Sequence, residues 1–82
     1  MEIVYFYSLA KPLDGVIGEA TLDNGVLKGD AVSTPVVESL RKKYPDKTDT
    51  ELFGVLNDNF TQGLLFTLRK PFPGSAVADY IG

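Results

Sequence analysis

Between residues 34 and 56 the apolar positions recur every three or four residues, and on either side of that stretch they alternate or run together. Val37, Leu40 and Tyr44, with Val36 beside them, make one helical face. Leu52, Val55 and Leu56 make a second, widened by Phe53. Both segments carry helix punctuation. Ser33 or Thr34 can cap the first, Pro35 suits its opening turn, and Glu38 lies near its positive end. Arg41, Lys42 and Lys43 complement its negative end, and Pro45 stops it. The second opens on Thr48-Asp49-Thr50-Glu51, a capping-box pattern, and Asn57-Asp58-Asn59 ends it. Gly54 weakens it by roughly 1 kcal/mol relative to alanine. Neither helix is long enough to persist alone in water, so both require a surface to pack on.

The flanking segments supply that surface. Residues 2–9 are rich in Ile, Val, Tyr and Phe, with Ile3, Tyr5 and Tyr7 on one side and Val4, Phe6 and Ser8 on the other. Both sides are largely apolar, which predicts a central strand covered on two faces. Lys11-Pro12-Leu13-Asp14-Gly15 reads as a turn. Residues 16–22 form a second strand, with Val16, Gly18, Ala20 and Leu22 on one face. The Asn24-Gly25 dipeptide predicts a tight hairpin into a short third strand at Val26, Leu27 and Lys28. After the helices, residues 63–69 alternate as a last strand with Leu64, Phe66 and Leu68 on one wholly apolar face, and Phe60 at its entry suits packing on the second helix.

The predicted fold class is therefore α+β: a small antiparallel sheet in the order β-β-β-α-α-β, with the helical pair packed on one face. Residues 1–70 form a single α+β domain. Residues 71–82 are a proline-containing turn and an apolar C-terminal tail, in which Val77, Tyr80 and Ile81 are too apolar for an ordinary disordered end. The tail can fold back, form a short helix, or engage another chain.

Composition narrows the chemistry. Eighty-two residues with 44% hydrophobic content make one folded domain with a small core. The chain has no cysteine, so it can form neither a disulfide nor a thiolate metal site, and no histidine, which removes the commonest general base and transition-metal ligand. The net charge of −3 disfavours non-specific nucleic-acid binding. No basic segment precedes an apolar run at the start, and no run reaches the roughly 18 apolar residues of a membrane span, so the expectation is a soluble, cytoplasmic protein with no membrane association.

Few constellations suggest a site. Asp46, Asp49 and Glu51 crowd the interhelix turn and could hold a hard cation, but they match no EF-hand spacing and read better as turn and capping residues. Arg41, Lys42, Lys43 and Lys47 hold four of the eight cationic charges and suit either phosphate or an acidic partner; a solvated helix end is the simpler account. Tyr5, Phe6 and Tyr7 have the interleaved aromatics of single-strand nucleic-acid platforms but no nearby Arg, so core packing is the better reading. The hydroxyl residues have no histidine to activate them, and Lys11 or Lys70 would need burial to act as a base. Gly15 and Gly18 complete no phosphate loop, and the Asn59-Phe60-Thr61 sequon matters only in a secreted protein.

The opening VYFYSLA, the DNGVLKGD hairpin and the Asp58–Gly63 segment together resemble short uncharacterised proteins of actinobacteria and their bacteriophages. In those proteins a D-G-W-S-N-G-Y-like ending stands where this chain has different residues at 59–62. The resemblance implies a phage or accessory protein that acts by binding a host protein. The functional expectation is a small non-enzymatic protein–protein interaction module with no cofactor and no metal. Its candidate partner-binding residues are Arg41, Lys42, Lys43, Lys47, Phe72, Tyr80 and Ile81. The alternatives are a self-associating structural protein, forming a homo-oligomer, and a nucleic-acid binder using the 41–47 cluster.

Overall fold

The computed structural model describes residues 1–57 and 59–81. Five antiparallel strands form one sheet: β1 (Glu2–Ser8), β2 (Val16–Asp23), β3 (Val26–Gly29), β4 (Thr61–Gln62) and β5 (Leu65–Leu68). Their spatial order is β3-β2-β1-β5-β4, which puts β1 in the middle. Helices α1 (Thr34–Lys43), α2 (Asp49–Leu56) and α3 (Gly74–Ile81) complete the chain, with a 3-10 turn at Pro12–Asp14.

Two apolar clusters lie on opposite sides of this sheet because alternate residues of β1 point opposite ways. Val4 and Phe6 join Ala20, Leu22 and Leu27 beneath Val36, Val37 and Leu40 of α1 and Leu52, Phe53 and Leu56 of α2. Phe60 and Leu65 pack against the same cluster. Tyr7 faces the other way with Phe66, Leu68 and Val77, and Tyr5 and Leu9 pack around them. The central strand is thus covered on both faces, as its composition predicts.

The class is α+β with an antiparallel sheet, but the order is β-β-β-α-α-β-β-α rather than the expected β-β-β-α-α-β, because the short strand β4 and a third helix are added. Helices α1 and α2 share one face, and the tail supplies a third helix that covers part of the other. Val77, Tyr80 and Ile81 have helical spacing, and the Val77 N–H donates to the Pro73 carbonyl at 3.1 Å to open the turn. The final strand is also shorter than expected. Gly63, at φ 59°, and Leu64 make a two-residue turn of type II′ between β4 and β5. Leu64 consequently leaves the apolar face and is exposed. The other hairpin, at Asn24-Gly25, has both φ angles positive, as a type I′ turn requires.

The start of α1 differs as well. Ser33 occupies the N-cap position without making a side-chain cap. Its hydroxyl donates to the Glu19 carbonyl at 2.6 Å and accepts from the Asp30 N–H at 2.9 Å. Asp30 does the capping from further back, accepting from the N–H groups of Val32 and Ser33 at 2.9 Å each and from Glu19 N–H at 2.8 Å. Burial opposes ionisation of this carboxylate, but the hydrogen bonds outweigh it and hold its pKa below the ordinary value. One acid therefore ties the helix entry to strand β2.

The start of α2 follows its sequence. Thr48 accepts from the Glu51 N–H at 3.2 Å and Glu51 accepts from the Thr48 N–H at 3.0 Å, completing the capping box. At the other end Asn59 adopts a left-handed φ of 59°. Asp58, expected to share in ending the helix, lies outside the described residues.

Candidate functional site

The charged constellations near the helix turn are occupied structurally. Arg41 donates to Asp49 at 2.5 Å and to the Leu27 carbonyl at 3.2 Å, while Asp49 accepts from the Leu27 N–H at 2.9 Å. Leu27 lies on the edge strand β3, so the pair satisfies backbone groups that would otherwise be open to another strand. The hydrogen bond from Arg41, then that from Leu27, holds the Asp49 pKa below its ordinary value. The Arg41 pKa is raised by the same bond to Asp49. Glu51 is held by Thr48, so two of the three crowded acids have structural partners. No group of three or more metal-ligating side chains occurs among the described residues.

The basic cluster also divides. Arg41 is committed to the clamp. The Lys43 and Lys47 ammonium groups lie 5.4 and 5.5 Å from the centre of the Tyr44 ring, within cation–π range. Lys42 is exposed. These residues sit at the end of α1, whose apolar face belongs to the first cluster. Phe72, Tyr80 and Ile81 belong to the other side, so the predicted partner-binding residues do not form one surface.

On that other side lies a groove. Val77 is the one fully buried residue of α3, so this short helix covers the sheet incompletely. Leu68 of β5, Phe72 of the proline segment, and Ala76, Val77 and Tyr80 of α3 make an apolar cleft of about 470 Å³. Asn59, Arg69 and Lys70 supply its polar margin. A smaller cleft of about 330 Å³, lined by Leu9, Phe66 and Ile81 among others, shares Asn59 and Tyr80 with it. Phe72 and Tyr80 are 41% and 60% exposed, large values for aromatic side chains on a small domain.

Aromatic stacking builds the floor between β1 and α3. The Tyr7 and Phe66 rings lie 5.3 Å apart, and the Phe66 and Tyr80 rings 6.1 Å apart and nearly parallel. Tyr80 donates its hydroxyl to the Asn59 side-chain oxygen. The Tyr7 hydroxyl donates to the Lys70 carbonyl at 2.7 Å and accepts from the Phe72 N–H at 2.9 Å. Burial pushes the Tyr7 pKa up, against a lowering contribution from the Phe72 hydrogen bond, so this hydroxyl keeps the proton it donates. It thereby fixes the backbone on which Arg69, Lys70 and Phe72 are carried. The aromatics 5–7 thus serve the core and the groove floor.

Of the residues lining the two clefts, sequence patterning singled out Phe72, Tyr80 and Ile81 as partner-binding candidates and did not single out Asn59, Leu68, Arg69, Lys70, Ala76 and Val77. The available signal was the spacing of Val77, Tyr80 and Ile81, which fits a helix laid against the wholly apolar face of Phe66 and Leu68. The chain matches no family model, no curated protein and no solved structure.

Proposed function

We propose that this protein is a non-enzymatic interaction module that receives an apolar segment of a protein partner in the groove between β5 and α3. The observation that carries this reading is the concave apolar surface around the exposed Phe72 and Tyr80. Concavity, aromatic walls and a few polar groups at the margin are the usual character of a binding site. The lining offers apolar area, an amide and two cations, which suit recognition. The resemblance to actinobacterial and phage proteins supports a host protein as the partner.

Affinity capture tests the reading when the wild type is compared with Phe72→Ser and Tyr80→Ser, each checked for folding by circular dichroism. A partner retained at fixed stoichiometry by the wild type and by a Lys42→Ser/Lys43→Ser/Lys47→Ser variant, but lost with the groove variants, supports it. A partner lost only with the lysine variant transfers the function to the end of α1. Equal recovery with every variant rejects the groove.

A further inference from the structure

The groove has a charge opposite to that of the protein around it. The chain carries eleven acidic and eight basic residues, yet the lining of the larger cleft contains Arg69 and Lys70 and, among the described residues, no acid. Both cations are exposed, and neither forms an ion pair among the described residues. Their backbone is held by the Tyr7 hydroxyl through the Lys70 carbonyl and the Phe72 N–H. The backbone that carries these charges is therefore held beside the apolar wall of Leu68, Phe72 and Val77, and little backbone freedom remains to be lost on binding.

The second cleft extends this asymmetry. It continues past the Tyr80 ring to Leu9, Phe66 and Ile81, with no charged residue in its lining among the described residues. An occupant crossing both clefts meets positive charge at one end and apolar surface on both sides of Tyr80. Resting on the binding reading above, we propose that the occupant is an acidic–apolar peptide segment of a protein partner, with carboxylates beside Arg69 and Lys70 and apolar or aromatic side chains flanking Tyr80. Complementary charge at the margin would orient the segment and reject basic competitors, while apolar burial would supply most of the affinity. A long polyanion fits less well, because the net charge of −3 repels it outside this margin.

Selection of random-sequence peptides on the purified protein, followed by fluorescence anisotropy with the enriched peptides, tests this. The expected peptides pair Asp or Glu with aromatic or aliphatic residues. Their affinity should weaken with added salt and fall about fivefold to tenfold in Arg69→Gln/Lys70→Gln. The charge-reversed Arg69→Glu/Lys70→Glu should select basic–apolar peptides instead. These surface changes leave the core intact, so they remain informative if Tyr80→Ser loosens α3. Enriched peptides that are neutral or basic, yet still lost with Tyr80→Ser, would overturn the acidic occupant and leave the groove reading standing. Absence of any peptide dependent on Phe72 or Tyr80 would overturn both. A dimer in solution that becomes monomeric in Tyr80→Ser would identify a second copy as the occupant and overturn the proposal.

Discussion

The Arg41 guanidinium and the Asp49 carboxylate meet at 2.5 Å and enclose the backbone of Leu27, one taking its carbonyl and the other its N–H. Their side chains are 36% and 24% exposed, so the pair is partly shielded from water. It joins the end of α1, the start of α2 and the edge of the sheet. Removing Arg41 frees the Leu27 carbonyl and leaves Asp49 with the Leu27 N–H, and removing Asp49 frees that N–H and leaves Arg41 with Glu38 and the Leu27 carbonyl. Arg41→Ala or Asp49→Ala should each destabilise the fold by about 1–2 kcal/mol, and the double variant should cost less than the sum. Urea titration of the four proteins of the cycle measures this. Additive losses would mean that the two side chains act separately.

Acid should weaken the fold through Asp30 and Asp49. Both have folded-state pKa values below the ordinary value of 3.8. The unfolded chain therefore binds more protons in this range, and stability rises with pH. The contribution is fully present above 3.8 and is lost as pH falls through the depressed folded values. Asp30→Asn and Asp49→Asn should each be less stable than the wild type at neutral pH and show a shallower acid dependence below about pH 4. Urea titrations across that range provide the comparison, and parallel wild-type and variant curves would contradict it.

Two helical glycines should respond to alanine with opposite signs. Gly54 in α2 has open space where a Cβ would sit, so Gly54→Ala should stabilise by about 0.5–1 kcal/mol. At Gly74 the Cβ would fall on the Leu13 carbonyl, a backbone group that cannot swing aside. Gly74→Ala should displace the start of α3 from the 3-10 turn, destabilise the protein and weaken partner capture. Thermal unfolding with hydrogen exchange across 74–81 would distinguish the two effects.

Thr67 lies fully buried in β5, donates its hydroxyl to the Leu56 carbonyl at 2.9 Å and accepts from the Phe60 N–H at 3.1 Å. Thr67→Val keeps the shape and removes the hydroxyl from both bonds, so a loss of about 1–3 kcal/mol is expected. Thr67→Ser keeps the hydroxyl and should restore part of that loss. A Thr67→Val variant as stable as the wild type would contradict a contribution from these two bonds.

Much of this architecture is local and therefore readable. Asn24-Gly25 specifies a turn within two residues, Thr48 and Glu51 satisfy each other within one helical turn, and alternation along β1 places apolar groups on both faces. The departures lie where local preference is overridden from a distance. Ser33 has the chemistry of a helix cap, but the Glu19 carbonyl across the fold takes its hydroxyl and Asp30 caps in its place. Leu64 continues an apolar alternation, but Gly63 turns the chain before that alternation can be used.

The candidate site shows the same division. Residue pattern alone determined that Val77, Tyr80 and Ile81 were apolar beyond the needs of a loose end and that the last strand had a face to cover. Tertiary structure decided that the tail would be that cover and that Arg69 and Lys70 would border a groove. It also committed Arg41 to Leu27 and Asp49. Side-chain periodicity reports which face of an element is apolar. The hydroxyl of Tyr7 reaching Lys70 and Phe72, more than sixty residues along the chain, depends on how those faces are assembled, and no local pattern encodes that distance.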